Sequence, residues 1–469
     1  MAISSATSGS SIDVDAIVSG LMSIERQPID KLNSKETSYQ AKITALGSIK
    51  SKVANLQTAA QALGSSSSSS LSAFNASSSD TSVLSAAASS TAVAGTYSLA
   101  VTSLAQSQKL VAAGQTSSTA AIGSGTSTVV TFDFGTISGG TLTNGVYTGA
   151  SFTSGGTTAN ITIDSSNNTL QGIRDAINAA NMGVSATIVN DGSGTPYRLA
   201  LSSNATGVTN SIKISTDGAD ASIDSLLAHN PAGTQKLTET VSAQNAAFSV
   251  NGIAVTKTSN TVTDVVEGVT LTLNKAASSA TLTVGRDTAA VSKSVTDFVT
   301  AYNELYTAMK NSFAYKSGSA LAGDSTLRTL QTEMRQIIAT ATGSGSLNNL
   351  FEIGVSSKSD GTLKVDSEQL SSAMSANFSD VASLFNSTTG FATRLDQWST
   401  SALALDGTFA NRTSNLNQTL KYIATQRDTL ETRMASVEKN YRRQFSSLNV
   451  ALAGLNMTSS YLTQQLGKL

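Results

Sequence analysis

Residues 416–466 read LNQTLKYIATQRDTLETRMASVEKNYRRQFSSLNVALAGLNMTSSYLTQQL, and the rest of the chain is organised around this stretch. Apolar residues recur along it at alternating steps of four and three, and only Arg427 and Ser459 place polar side chains in the row. Such a row predicts one continuous helix with a narrow apolar seam, about 75 Å long. An extra step of four between Tyr441 and Phe445 marks a stutter, where a coiled coil locally unwinds. A seam this narrow needs a partner helix, because alone it leaves leucines in water.

The start of the chain carries seam-like helices of its own. Residues 12–28 read IDVDAIVSGLMSIERQP, and their apolar side chains share a helical face that Pro28 interrupts. A second helix is predicted from Tyr39 to Leu63, again with apolar residues at steps of three or four. These helices can pair with the C-terminal seam as an intramolecular hairpin or with neighbouring subunits. Helix periodicity alone leaves both partners open.

Composition and charge bound the functional classes. The chain has 469 residues, a net charge of -1, 5% aromatic residues and no cysteine. This length predicts several domains, and the balanced charge gives no basis for nucleic-acid binding. The absence of cysteine excludes disulfides and thiolate sites. Because the first basic residue is Arg26, we expect no cleaved secretory signal peptide, and no run approaches the ~18 apolar residues of a membrane span.

The middle of the chain changes from a helical to a β pattern. Apolar and polar residues alternate at 96–101 and again at 247–255. The second run contains Asn251-Gly252, a strong signal for a two-residue hairpin. Between the two runs lies a stretch rich in Gly, Ser, Thr and Asn, which predicts an inserted domain.

The predicted fold class is α+β and multidomain, with helical coiled-coil termini, a helical leg domain and two nested β-rich domains in the middle. The predicted division assigns residues 1–42 and 430–469 to a terminal helical segment, 43–74 and 286–429 to a leg domain with a hairpin at 351–365, 75–112 and 236–285 to a discontinuous β domain, and 113–235 to an inserted β-rich domain with one helix at 169–182.

Residue types that carry catalysis are sparse. His229 is the only histidine, and its surroundings, AHNPAG, are a loop signal. We therefore expect a solvated loop histidine rather than a general base. Asp13 and Asp15 form an acidic pair without a calcium-loop framework, and no residue cluster matches a zinc site. We expect no enzyme activity, no cofactor and no metal.

Several motifs together resemble one family. The run at 12–28, GTYSLAV at 95–101, FSVNG at 248–252 and YRRQF at 441–445 are similar to segments of the flagellar filament cap family, also called hook-associated protein 2. The likeness extends over both ends and the middle of the chain. It weakens only in the predicted inserted domain, where residues 161–203 instead resemble an insertion module that flagellins also contain.

The resemblance implies a secreted protein that forms a homo-oligomeric ring at the distal tip of the bacterial flagellum. There it would retain exported flagellin and promote its polymerisation, after export through the flagellar type III apparatus without a cleaved signal peptide. The implied partners are sister copies, flagellin, hook–filament junction proteins and an export chaperone. Nucleic-acid binding and membrane insertion are not implied, whereas binding to host mucin or another surface stays open.

Under this interpretation, the apolar seam at both chain ends is the expected surface for docking and oligomerisation. Its residues are Ile12, Val14, Ile17, Leu21, Ile24, Leu430, Met434, Val437, Tyr441, Phe445, Leu448, Leu452, Leu455, Leu462 and Leu466. We expect the residues after about Tyr441 to be mobile or to exchange partners in the free protein.

Two alternatives remain from the sequence. One is another flagellar axial protein, such as a flagellin or a hook–filament junction protein, although the run at 12–28 and the hairpin signal at Asn251-Gly252 argue against it. The other is a secreted surface adhesin or a polysaccharide-binding or polysaccharide-degrading protein. The scarcity of aromatic residues disfavours sugar stacking, and no pair of catalytic carboxylates is identifiable.

Overall fold

The computed structural model describes residues 13–64, 66, 68–313, 318–342 and 346–467. The chain is an α+β multidomain protein that divides into two compact units. One unit comprises residues 1–71 and 288–469, and the other comprises residues 72–287. The finer four-part division stays a prediction.

The helices of the described chain have the following bounds: α1 Val14–Glu25, α2 Gln27–Gln61, α3 Leu170–Ala179, α4 Ala221–Leu227, α5 Thr288–Phe313, α6 Ser325–Ala339, α7 Ser367–Asn386, α8 Phe391–Leu403 and α9 Thr408–Leu466. The predicted C-terminal helix is thus one element of 59 residues. The predicted second helix begins at Gln27 rather than near Tyr39. Pro28 lies in its first turn, where a missing N–H costs no hydrogen bond, so proline starts this helix instead of breaking it.

The strands have the following bounds: β1 Phe74–Ser78, β2 Leu84–Ala88, β3 Gly95–Ser103, β4 Lys109–Val111, β5 Thr128–Thr143, β6 Val146–Ile163, β7 Val184–Asn190, β8 Tyr197–Ser203, β9 Ser211–Thr216, β10 Thr238–Val241, β11 Ala246–Val250, β12 Ile253–Lys257, β13 Thr261–Val266, β14 Val269–Leu273, β15 Ser278–Arg286, β16 Val355–Ser357 and β17 Leu363–Val365.

The helical unit is built around α2 and α5. Leu46, Val53 and Leu56 of α2 are almost fully buried in one apolar core with Phe298 of α5, and α6, α7, α8 and the first part of α9 contribute to the same core. The predicted boundaries at 42 and 430 fall inside α2 and α9. The terminal segment and the leg therefore share two continuous helices.

Two local features organise the later part of the helical unit. Asp324 caps α6, since its carboxylate accepts hydrogen bonds from the N–H groups of Thr326 and Leu327. The same carboxylate pairs with Arg412 of α9 at 2.8 Å. The predicted hairpin of the leg is also present, with β16 and β17 paired antiparallel.

The β-rich unit contains two separate apolar cores. The first lies between a sheet of order β1-β15-β3-β11-β12 and a sheet of order β13-β14-β2. Its strands come from both sides of the predicted insertion, and the predicted hairpin joins β11 to β12. Asn251 and Gly252 have φ values of 50° and 83° there, the left-handed conformation that such a turn requires.

The second core of the β-rich unit lies between sheets of order β10-β4-β8-β7 and β6-β5-β9, with α3 and α4 packed against it. Thr169 caps α3, because its side chain accepts a hydrogen bond from Gly172 N. The strands β5 and β6 form a long hairpin of 16 and 18 residues.

The prediction of a solvated loop histidine is wrong. His229 is fully buried, because its backbone pairs with Ile214 at the outer edge of β9. Neither ring nitrogen makes a hydrogen bond of ordinary geometry. Burial lowers the pKa of His229 to about 4, and the backbone of Leu237 offsets this only in part.

Candidate docking surface of the terminal helices

A small apolar cluster joins the two ends of the chain, and we call it the terminal cluster. Its buried members come from α1, the start of α2 and the middle of α9, and partly buried side chains of the same helices surround them. The buried members are Val18, Met22, Ile29 and Met434, and the surrounding ones are Val14, Leu430, Val437, Tyr441 and Phe445.

Two local features place α1 in this cluster. Asp13 caps the helix, since its Oδ1 accepts a hydrogen bond from Ala16 N at 2.9 Å. At the other end, α1 stops at Glu25 and α2 begins at Gln27. The chain therefore packs two helices, joined by a single residue, against α9 rather than one continuous helix.

Polar contacts flank the terminal cluster. The Arg442 guanidinium donates to Asp15 at 2.5 Å and to Glu438 at 3.0 Å. The Tyr441 hydroxyl donates to Glu25 at 3.2 Å. These contacts link the first and the last sequence motif of the chain. The hydrogen bond to Glu25 raises the pKa of Tyr441, and the hydrogen bond to Asp15 raises that of Arg442.

Arg427, one of the two polar residues in the predicted seam, also has a partner. Its guanidinium lies 2.5 Å from a carboxylate oxygen of Glu36 on α2. A charge inside an apolar row costs stability unless it is paired, and the facing helix supplies that pair. The seam of α9 is thus matched to α2 at this position.

The predicted seam residues divide into three groups. Val14, Leu430, Met434, Val437, Tyr441 and Phe445 are brought together in the terminal cluster. On α1, Leu21 is half-buried, and Ile17 and Ile24 remain 39% and 64% exposed. Ile12 lies outside the described residues. The α1 residues that the predicted seam omits are Val18 and Met22, which continue the row of Val14 at steps of four.

Beyond Phe445 the seam continues, and no element of the described chain covers it. We call residues 446–466 the distal segment; it is helical throughout. Leu452 is half-buried, while its other predicted seam residues are exposed: Leu448 45%, Leu455 65%, Leu462 55% and Leu466 70%. Apolar side chains outside the predicted seam are exposed as well: Val450 73%, Met457 71% and Tyr461 61%. Exposed apolar rows of this kind mark binding sites on protein surfaces.

The distal segment also lacks charge. Residues 444–467 contain no Asp, Glu, Lys or Arg, whereas Arg427, Glu438 and Arg442 lie in the part of α9 that precedes them. A helix without charged flanks has no electrostatic means of fixing one register or one orientation against a partner. The distal segment is thus an exposed, uncharged and largely apolar helix.

Within the described chain, His, Asp and Glu side chains form no group of three that could hold a metal ion. No helix in the part of the chain that the structure describes combines the length and apolar content that crossing a membrane requires.

Family models match most of the sequence. A model of the flagellar hook-associated protein 2 N-terminus matches residues 10–108, and a model of its C-terminus matches residues 243–457. Between them, a model of the flagellin hook IN motif matches residues 151–205.

Relatives and solved structures agree with these models. Flagellar hook-associated protein 2 of Escherichia coli O157:H7 is 35% identical over 486 residues, which span 99% of this chain and 98% of the relative. B-type flagellar hook-associated protein 2 of Pseudomonas aeruginosa is 34% identical, over 98% of this chain and 96% of the relative. The crystal structure of the D1-D2-D3 domains of the flagellar cap protein FliD from Escherichia coli superposes with a TM-score of 0.64 and 33% identity, and covers 80% of this chain and 99% of that chain.

Proposed function

Since this chain belongs to the flagellar hook-associated protein 2 family, we propose that it caps the distal end of the bacterial flagellar filament. As a cap it retains exported flagellin and promotes its addition to the growing filament. The resemblance of its motifs to the family is confirmed by matches over the whole chain. Neither another axial protein nor a polysaccharide-binding protein accounts for matches of that extent.

One observation carries the docking part of this proposal: α9 is a single helix whose first part is covered and whose distal segment is bare. The covered part holds α9 to the protein through the terminal cluster. The distal segment then offers exposed leucines to the apolar helical surfaces at the filament end. Full burial of an exposed leucine contributes about 1.5–3 kcal/mol, so several of them together are needed to offset the roughly 4–15 kcal/mol that association costs.

We propose that the partners follow from the same role. Sister copies form the ring, flagellin lies beneath it, hook–filament junction proteins receive the first cap, and an export chaperone covers the distal segment before secretion. The location is extracellular, at the filament tip, after export without a cleaved signal peptide. The role is structural rather than catalytic.

Deletion of the gene tests the capping function directly. We expect short or absent filaments and unpolymerised flagellin in the culture medium, with both defects reversed when the intact gene is restored on a plasmid. Filament length is measured by electron microscopy, and free flagellin is measured by immunoblot of the medium. Filaments of normal length in the deletion strain would refute the capping role.

A further inference from the structure

The hairpin of β5 and β6 leaves one strand edge open. Strand β6 lies at the edge of its sheet and pairs, among the described strands, with β5 alone. Edge strands expose unpaired backbone N–H and C=O groups, and folded proteins usually guard them with charges, proline, β-bulges or a covering element. Residues 148–160 of β6 contain no charged residue and no proline, and they are interrupted by a bulge at Gly155-Gly156, where the register with β5 shifts.

Other sheet edges around the same core are guarded. On β7, the side-chain amide of Asn178 donates to Ala186 O and accepts from Ala186 N, at 2.9 and 2.8 Å. On β9, the backbone of His229 exchanges two hydrogen bonds with Ile214. On β10, the N–H of Glu239 donates to Gly145 O at the tip of the long hairpin. The open edge of β6 therefore stands out against its own neighbours.

Side chains close both ends of the open edge but not its middle. Near the hairpin tip, the amide of Gln235 accepts from Tyr147 N at 2.8 Å and donates to Tyr147 O at 2.9 Å. At the other end, the Asn167 amide donates to Thr162 O at 3.0 Å. The stretch between them, residues 148–160, has the length of a short extended peptide.

A pocket adjoins this stretch. It has a volume of about 600 Å³, and its lining includes Gly155 and Thr157 of β6, Phe134 of β5, Met182, Asn204 and Asn210. None of its lining residues is charged. Gly156, next to the pocket, has φ of 82°, and a Cβ added there would meet nothing within 4 Å. Gly155 and Gly156 form the bulge of β6, and bulges often lie next to functional sites.

We propose that residues 148–160 accept an extended, uncharged peptide segment as an additional strand, with one apolar side chain of the guest in the pocket. Backbone hydrogen bonds to a free edge supply affinity, and a pocket beside the edge supplies selectivity. A charged guest is disfavoured, because the pocket offers no counter-charge for an ion that leaves water.

The guest is a segment of exported flagellin that has not yet folded, and this identification rests on the proposed capping function. A second copy of this chain is a poorer guest if it offers the same edge of its own β6. Two identical edges pair about a twofold axis, which closes a dimer and cannot propagate around a ring. A cap that promotes subunit folding meets extended chain segments in the course of its work.

Binding of peptides to the purified full chain tests the proposal. The probes are overlapping fluorescein-labelled peptides tiled along the flagellin of the same bacterium, and the readout is fluorescence anisotropy. The test variant is Thr157→Lys, which places an ammonium group at the pocket and on the open edge. The matched control is Thr187→Lys, because Thr187 is likewise an exposed strand threonine but lies on β7.

We expect uncharged, strand-forming peptides to bind, and Thr157→Lys to weaken that binding about tenfold while Thr187→Lys leaves it within about twofold. Unchanged melting temperatures of both variants show that they fold. If no peptide binds, or if both variants bind equally, the proposal is overturned. A dimer of the free chain in light scattering that Thr157→Lys disrupts would assign the edge to a second copy instead. Neither readout uses a filament, so failure here leaves the capping experiment untouched.

Discussion

Before Phe445, the apolar seam of α9 faces α1 and α2; after it, the same seam faces solvent. Both parts follow one spacing rule, yet Met434 is 5% exposed and Leu455 is 65% exposed. The covered part is charged and makes ion pairs with Glu36 and Asp15, while the distal segment is uncharged. Spacing therefore predicts the helix, whereas charge content distinguishes the part that has a fixed partner.

This difference assigns separate tasks to one helix. The covered part needs a single arrangement, and its ion pairs favour one register of α1 and α2. In our proposal the distal segment binds a partner outside the described chain, and the lack of charge leaves its register free. Changes in the two parts are therefore expected to affect different measurements.

The largest effect is expected from removal of residues 446–469. Filament elongation should be lost, because the exposed leucines that dock the cap are gone, whereas the melting temperature of the purified protein should change by less than about 2 °C. Motility in soft agar and calorimetry measure the two effects. The control is Thr458→Ser with Thr463→Ser, which alters the distal segment but keeps its leucines. Normal motility of the truncated strain would contradict the proposal that the distal segment docks the cap.

Single substitutions in the two parts should dissociate stability from assembly. Met434→Ala opens a cavity in the terminal cluster and is expected to destabilise the packing of α1 by about 2–5 kcal/mol. Leu455→Ala, at an exposed position, should change stability by less than about 0.5 kcal/mol while it reduces motility. Hydrogen exchange of residues 14–25 reports the first effect. Equal loss of exchange protection in both variants would contradict the assignment of stability to the covered part of α9 and of assembly to the distal segment.

Acid should loosen the β-rich unit and leave both parts of α9 in place. Burial lowers the pKa of His229 from 6.5 to about 4. As the pH falls, the unfolded chain therefore binds a proton at this residue before the folded chain does. Stability is therefore lost as pH falls below 6.5, and the loss levels off near pH 4. At pH 4.5 it amounts to about 2–3 kcal/mol.

The variant His229→Leu should abolish this acid effect, as measured by hydrogen exchange at residues 211–216 between pH 7 and 4.5. The lowered pKa values of nearby carboxyl groups do not interfere with this measurement. Hydrogen bonds lower the pKa values of Asp217 and Asp220, and the stabilisation they provide is lost only as pH falls below 3.8. An unchanged pH profile in the variant would show that His229 is not the responsible group.

Local patterns were sufficient to predict much of the fold. The row from Leu416 to Leu466 predicts α9, and Asn251-Gly252 predicts the hairpin between β11 and β12. The cap at Asp324 likewise follows from its neighbours in sequence. Each of these features depends on residues close together in the chain, which is why the sequence displays them.

Features that depend on distant residues were harder to predict. His229 lies in a local loop signal, but its burial depends on pairing with Ile214. The outer half of the long hairpin of β5 and β6 lacks alternating apolar residues, since it is exposed on both faces. The turn at Asn144-Gly145 was nevertheless a usable signal, of the same type as Asn251-Gly252.

The buried face of the docking surface was likewise hard to predict from the sequence. Helix α1 carries apolar residues on more than one face, including Ile17 and Ile24 as well as Val18 and Met22. Periodicity cannot select which face meets α9. The position of α9 decides it, and the row of Val18 and Met22 becomes the buried one.

The smallest effect is expected from the ion pair of Asp15 and Arg442, which sharpens the comparison at the boundary between the two parts of α9. Both side chains are largely exposed, at 82% and 47%, so water and salt screen their attraction. A double-mutant cycle with Asp15→Asn and Arg442→Gln should give a coupling below about 1 kcal/mol, and Arg443→Gln, whose partner is Asn440 of the same helix, serves as the control. Hydrogen exchange of α1 measures the coupling, which should decrease further as salt is raised. A coupling of several kcal/mol would mean that charge, rather than the terminal cluster, holds α1 on α9, and the uncharged distal segment would then need a different account of how it docks.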